Sequence, residues 1–442
     1  MKLCELKRYF PLGGVVAIAL LVYSCDLGVD NPEDIEDEDL NSPQGIEVLL
    51  NGVHGDFAFS TTQPGGGGIY TSAALLSDEL VHSGTWMPLR MLSDGVSINT
   101  EPENQSRWAS AQTARWSAED LIERIEDVDE VDNDGAEMAE ANLFSGLSNR
   151  MMGDNFCAAV IDGGEEEHYT VFHERSVEFF TTAIDLADQN DEQDIMLAAY
   201  AGRAQSHMML GNWDEAAADA AEVGTGFTFE QVHSSNASRE YNGVHEWTAT
   251  PNEANQTTVW GTPFEEWGTE INDQSEDAEG DPRIPFEKIF VDGDPDADFD
   301  TGGDDERPLF YAHKHDDRGA NIPIVKGTEM RLIEAEAYLR DGEVEDAIEK
   351  INTVREYHED LETLDAGDFD EESAWEKLMK ERGIEMWLEG RRVADLRRWM
   401  EDDQDVPFEV IRESDDAPVS VLDVEELCLE VSSTEEASNP NL

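Results

Sequence analysis

The sequence predicts a mainly α protein in which tetratricopeptide-like helix pairs support a loop-rich lobe. Three observations lead there. Segments 198–223 and 328–357 each read helix, Gly turn, helix, with small residues where two helices must approach. Long apolar-periodic stretches and ten Trp supply a core. Residues 224–322 lose that period and turn rich in Gly, Asn, Thr, Asp and Pro. A structureless loop of that length is improbable, so loops and short strands inserted between the helix pairs are expected.

Taken in order, residues 1–24 read as a signal peptide. Lys2, Lys7 and Arg8 form a positive start, and Leu12 to Val22 an apolar run too short to span a bilayer. Val22-Tyr23-Ser24-Cys25 resembles the lipobox of bacterial lipoproteins, which implies cleavage before Cys25 and acylation of it, with palmitate-like chains. Each buried methylene then contributes about 0.8 kcal/mol to anchoring. Residues 25–42 form an acidic tether, and 43–442 a single domain.

Residues 45–60 have helical spacing, and a Gly-rich break follows at Gln63–Gly68. Helical patterns continue at 104–129, 136–156 and 169–189, the last with Phe172, Val177, Phe180, Ile184 and Ala187 on one face. In the first hairpin Ala201, Ala204 and Met208 precede Gly211, and Trp213, Ala216 and Ala220 restart the pattern. In the second, Ala335, Tyr338 and Leu339 precede Gly342, and Val344, Ala347, Ile348 and Ile351 follow. The two copies do not recur at 34 residues, so they are hairpins within a larger domain and not a solenoid.

The most specific stretch is KERGIEMWLEGRRVADLRRW, 380–399, read as one helix. Through Glu381, Arg382, Glu385, Glu389, Gly390, Arg392, Asp395, Leu396, Arg398 and Trp399 it resembles the signature of the SusD/RagB family of nutrient-binding surface lipoproteins. Asn31-Pro32, Leu50-Asn51-Gly52, Leu76-Ser77-Asp78-Glu79 and the closing Ser438-Asn439-Pro440-Asn441-Leu442 agree, in order along the chain. The resemblance implies a SusD-like fold with four tetratricopeptide-like helix pairs and a variable, ligand-facing lobe. It implies capture of glycans, oligosaccharides or other nutrients at the outer membrane, facing the exterior. It implies delivery to a SusC-like TonB-dependent transporter, with no catalysis and no cofactor. The rival class is a lipid-anchored scaffold for envelope proteins that takes no small ligand.

Glu381, Glu385 and Glu389 stand at i, i+4 and i+8 and suggest an active site. Beside Arg382, Arg391 and Arg392 they read instead as an ion-pair network. A glycosidase needs two carboxylates at a defined separation, and among 102 acidic residues pairs prove nothing. The run Asp292 to Asp300 alternates like half a calcium loop, but Ala297 stands where the EF-hand pattern needs Gly, and Gly303 where it needs Glu. A solvated acidic loop is favoured over a structural Ca²⁺ site. His313 and His315 read as surface loop.

Sugar binding needs aromatic faces flanked by polar groups. The loop candidates are Tyr70, Trp86, Trp247, Trp260 and Trp267; in the N-terminal region Trp86, in SGTWMP, stands out, flanked by turn residues and away from helical periodicity. Trp108, Trp116, Trp213, Trp375, Trp387 and Trp399 sit on helical patterns and read as core. Cys157 and Cys428 leave two alternatives open: one disulfide, or two buried thiols.

The net charge of −73, from 102 acidic against 29 basic residues, excludes nucleic acid and anionic membrane surfaces as partners. With only eight Lys against twenty-one Arg, it suggests adaptation to concentrated salt, where self-repulsion is screened. The melting temperature is then expected to rise between about 0.1 M NaCl and molar salt. A flat or falling curve would reject that adaptation.

Overall fold

The computed structural model describes residues 40–442 except 64–67, 250–255, 273–279, 296, 316, 359–360, 403, 405, 407–410, 414–417 and 421–426. The signal segment, Cys25 and nearly all of the acidic tether lie outside the described residues.

Long helices build the frame, each packed on the next. Helix α1 (Pro43–Thr62) is capped by the Ser42 hydroxyl, which accepts the Gly45 N–H at 3.1 Å, with Pro in its first turn. Next come the short, wholly buried α2 (Ile69–Leu76) and the partly exposed α3 (Met87–Ser93). The stack continues through α4 (Pro102–Asp127), α5 (Ala136–Asn155), α6 (Thr170–Gln189), α7 (Gln193–Met209) and α8 (Trp213–Glu222). It then resumes at α11 (Gly327–Arg340), α12 (Val344–Tyr357), α13 (Glu371–Glu385) and α14 (Arg392–Glu401). Helix α4 packs on α1 and α5, α5 on α6, α6 on α7, α7 on α8, α8 on α11, and α11 on α12 and α13. From Ala141 to Asn155 no residue of α5 is exposed, so it lies at the centre of the stack.

The two expected hairpins are α7–α8 and α11–α12. Their turns place Gly211 at φ +73° and Gly342 at φ +77°, the left-handed region that disfavours any Cβ. Among the described residues, no helix is long and apolar enough to cross a membrane.

The segment between α8 and α11 holds small helices and short strands. Strand β4 (Thr228–Gln231) enters it and β9 (Ile322–Lys326) leaves it, paired antiparallel with Thr228 opposite Lys326. The lobe is therefore closed at its base by a two-stranded stem. Inside, β7 (Asp281–Lys288) pairs in parallel with β6 (Gly268–Glu270) and antiparallel with β8 (Phe310–Ala312). Strand β5 (Thr257–Thr258) pairs with β1 (Val81–His82), which ties the lobe to the chain just after α2. Helices α9 (Gly243–Thr248) and α10 (Pro263–Trp267) carry Trp247, Phe264 and Trp267 into the hydrophobic core shared with the helical frame, where Phe264 stacks on Trp387 at 6.0 Å.

The sequence reading of 380–399 as one helix is corrected. Helix α13 stops at Glu385 and α14 starts at Arg392, with a tight turn between them. Leu388 (φ +58°) and Gly390 (φ +71°) make that turn. A Cβ at Gly390 would meet the Tyr70 ring at 2.2 Å, so Gly lets α2 lie against the turn.

Two further two-stranded pairs complete the described strands: β2 (Ala158–Ala159) with β3 (Glu167–His168), and β10 (Ile411–Glu413) with β11 (Pro418–Ser420). Cys157 and Cys428 are joined by a disulfide, the first of the two alternatives. It holds the last segment, which includes α15 (Ser433–Ser438), along α4 and the end of α5. There the Asn104 amide donates to the Glu430 carbonyl (3.0 Å), and the Trp108 indole N–H donates to Glu435 (3.2 Å). The bond closes a chain separation of 271 residues. Replacing both cysteines by Ser is expected to lower stability by about 2–5 kcal/mol. Reducing agent should lower the wild-type melting temperature toward that of the variant. Equal melting temperatures with and without reductant would show that the tail holds without its bridge.

Candidate functional site

The three glutamates of the signature are not exposed catalytic groups. Glu381 is wholly buried and meets Arg283 of β7 (2.7 Å), Arg355 of α12 (2.6 Å) and Lys377 (2.7 Å). Glu385 accepts from Arg283 (3.1 Å), the Thr328 hydroxyl (2.7 Å) and Lys326 of β9 (3.2 Å), and faces His358 at 2.9 Å. Glu389, in the turn, takes Lys326 and Lys314, both at 3.0 Å. These partners differ from those expected. Arg382 instead makes a two-pronged pair with Asp395 (3.0 and 2.8 Å), and Arg392 one with Asp78 (2.6 and 2.6 Å). Arg391 donates to the Ile324 carbonyl. Arg398 and the Trp399 indole N–H converge on Glu336.

Burial alone would raise the Glu381 carboxyl, but Arg283 and then Lys377 pull it down to about 2. Glu336 likewise falls to about 2, its burial outweighed by Arg398. Neither holds a proton to give near neutrality, and cations enclose both. The cluster has the properties of a structural latch.

Glu79 behaves oppositely. Burial pushes it up to about 8 against the Leu388 N–H, which it accepts at 2.7 Å, and Asp78 beside it adds to the rise. It therefore stays protonated through most of the neutral range.

Three of the five loop aromatics proposed as ligand faces are core residues, which corrects those assignments. Tyr70 is 1% exposed, inside α2 against Gly390. Trp247 is fully buried in α9. Trp267, 7% exposed, lies 5.1 Å from Phe264 and under the Lys380 ammonium. Gly- and Pro-rich flanks marked them as loop, but Tyr70 sits in α2, and the lobe's two tryptophans join the core that it shares with the helices.

Trp86 and Trp260 are half-buried and keep part of their surface outside. Trp86 is the N-cap of α3, and its carbonyl accepts the Leu89 and Arg90 N–H groups. Its ring stacks on Trp247 at 6.2 Å and 24°. Trp260 follows β5, its N–H bonded to the Thr258 hydroxyl (3.1 Å). Because β5 pairs with β1, the two aromatics flank one ladder. That ladder is extended by Ser83 N–H to the Gln256 carbonyl (3.0 Å), Asp304 N–H to the Ser83 carbonyl (3.1 Å), and Arg307 to the His82 carbonyl (3.1 Å). Trp86 on Trp247 thus forms a held aromatic platform, with exposed Thr85 and Met87 next to it in the chain, while Trp260 stands beyond the other end of the ladder.

Some features escaped the sequence reading. Trp116, read as core, is 54% exposed. It stands eight residues from buried Trp108, a rotation of about 80° on the helix, and Arg115 takes the inner position instead. His315 is buried, not surface loop, and burial lowers it to about 3. A cleft of about 800 Å³ opens between α1 and the loop after β4, lined by Asn51, Gly52, His54, Phe144, His233 and Arg239 among others. Two of its charged or titratable groups have partners: His54 meets Glu140 at 2.9 Å, and Arg239 meets Asp56 at 2.8 Å. Asn51 and Gly52 of the early motif were its only sequence signal.

Asp292 lies in a short 3₁₀ turn at φ +57°, and Asp296 lies outside the described residues. Among the described residues, no three or more His, Cys, Asp or Glu gather as for a metal ion.

Residues 311–413 match the SusD family. Among solved structures, a SusD-like carbohydrate-binding protein from Bacteroides fragilis is 15% identical, with a TM-score of 0.66 over 91% of this chain and 99% of that one. A SusD superfamily protein from Parabacteroides distasonis is 12% identical, with a TM-score of 0.65 over 92% and 99%. One from Bacteroides vulgatus is 15% identical, with a TM-score of 0.63 over 90% and 97%. No curated protein matches this chain. The described architecture is thus the SusD fold, essentially complete.

The raised Glu79 gives a pH prediction. Unfolded, it ionises near 4.5; folded, it keeps its proton to about 8. Between these values the folded state binds more protons, so its stability falls as pH rises. Glu79→Gln keeps the acceptor for Leu388 and removes that slope. The melting temperature of the variant should gain on the wild type from about pH 5 to about pH 8. A constant difference would contradict the assignment.

Proposed function

We propose that this chain, SusD-like in its fold and over residues 311–413, captures glycans or oligosaccharides at the outer membrane and passes them to a SusC-like TonB-dependent transporter. In this reading Cys25 carries the lipid anchor, and the acidic residues after it are a tether. The protein binds and does not turn over its ligand.

One observation carries the reading: the partly exposed Trp86 ring stacked on buried Trp247, beside the β1–β5 ladder that ties the lobe down. A pyranose ring presents an apolar C–H face that an indole covers, while its hydroxyls need polar partners at the edge. Stacking on Trp247 and the α3 cap fix the Trp86 ring before a ligand arrives, so little entropy is lost in ordering it. The carbohydrate-binding relative from Bacteroides fragilis supports the ligand class.

Calorimetry with a bound oligosaccharide is the test. Trp86→Ala and Trp260→Ala are each expected to weaken binding about tenfold. Unchanged affinity in both would remove this platform from the site.

A further inference from the structure

A second feature lies away from that platform, on α4. Trp116 leaves 54% of its surface in water, an unfavourable place for so large an apolar ring. Beside it runs a groove of about 310 Å³, whose walls include Gln112, Thr113, Arg115, Asp162 and Glu435.

The groove's polar edge is fixed in advance. Arg115 is buried, and donates through Nε to Gln112 (2.9 Å), through Nη1 to Glu119 (2.8 Å) and through Nη2 to Asp162 Oδ1 (2.7 Å). Gln112 in turn donates to the Val160 carbonyl at 2.7 Å. Asp162 sits at φ +51°, in a turn whose other side is clamped by Asn441 on the Gly163 carbonyl (2.6 Å) and Asn439 on the Gly164 carbonyl (2.8 Å). Yet its side chain is 61% exposed, so Oδ2 remains open to a ligand hydroxyl. The exposed Thr113 hydroxyl, which donates to the Ala109 carbonyl, keeps a lone pair for another.

An indole face beside an immobilised carboxylate and a hydroxyl is the equipment for a sugar ring: apolar cover for one face, acceptors for its edge. Asp162 and Glu435, with the net charge of −73, disfavour an anionic sugar. A simple cation would have no need of the indole. We infer that the Trp116 groove is a second subsite, for a neutral hexose or pentose ring of a polymeric glycan. The inference rests on the glycan-capture reading above. Engaging one polymer at two places raises the effective concentration at each.

The full chain is titrated by calorimetry with starch, mixed-linkage β-glucan, xylan and galactomannan in about 1 M NaCl. The variants are Trp116→Ala, Trp116→Tyr and Trp86→Ala. For a polymer that the wild type binds, Trp116→Ala should weaken binding by about five- to twentyfold, and Trp116→Tyr should recover most of it. Unchanged affinity in Trp116→Ala, with loss in Trp86→Ala, overturns the second subsite and leaves the first. Loss in Trp116→Ala alone supports the groove and removes the Trp86 platform. A loss that Tyr does not recover, accompanied by a lower melting temperature, would make Trp116 a structural residue and overturn the subsite. Failure of the wild type to bind any of the four polymers overturns both readings.

Discussion

A charge taken out of water must find its opposite, and this constraint organises the molecule. The network around the α13–α14 turn draws Arg283 from the lobe, Lys326 from the stem, Glu336 from α11, Arg355 from α12 and Asp78 from the end of α2. Segments far apart in sequence thereby acquire one permitted arrangement. Such pairs add little net stability over an apolar core of the same shape, but removing one partner costs about 3–5 kcal/mol because the other stays buried. Their contribution is to register. Arg283 sets the lobe on the helices, and Arg392 with Asp78 sets α2 against the turn, where Gly390 lets Tyr70 come close.

The same network bears on the charge. Arg107, Arg115, Arg150, Arg283, Arg307, Arg382, Arg391, Arg392, Arg397, Arg398 and Lys326 are buried. A substantial share of the scarce positive charge therefore lies inside, matched by buried acids such as Asp78, Glu336, Glu381, Glu385, Glu389 and Asp395, so the outer surface carries essentially the whole net negative charge. This also gives the Arg excess a structural cause. A guanidinium offers five donors in a fork and grips a carboxylate with two of them, as at Asp395 and Asp78.

The helical frame was legible in the sequence because its signals are local. Apolar period, Gly211 and Gly342 each act within a few residues, and the helices begin and end close to where the period places them. The break inside 380–399 was not legible. Leu388 takes a positive φ at the point where its N–H meets Glu79, more than three hundred residues earlier, a contact that no local pattern announces. The candidate site was read in part. Trp86 kept part of its surface outside, whereas Trp247 and Trp267 entered a core that forms only when the lobe packs on the helices. Trp116 failed in the other direction: a one-residue offset on α4 puts Arg115 inside and the indole outside.

The β4–β9 stem has a consequence for how such a chain can diversify. Both ends of the lobe meet at adjacent rungs of one ladder, about 5 Å apart. The distance that α8 and α11 must keep is therefore independent of what lies between. Loops in the lobe can lengthen, shorten or be exchanged while the helical frame sees the same two anchor points, provided an arginine still reaches Glu381 and Glu385. The lobe's outer loops can thus change on an unchanged frame, and a lobe grafted at Gln231 and Ile322 would inherit a ready-made foundation.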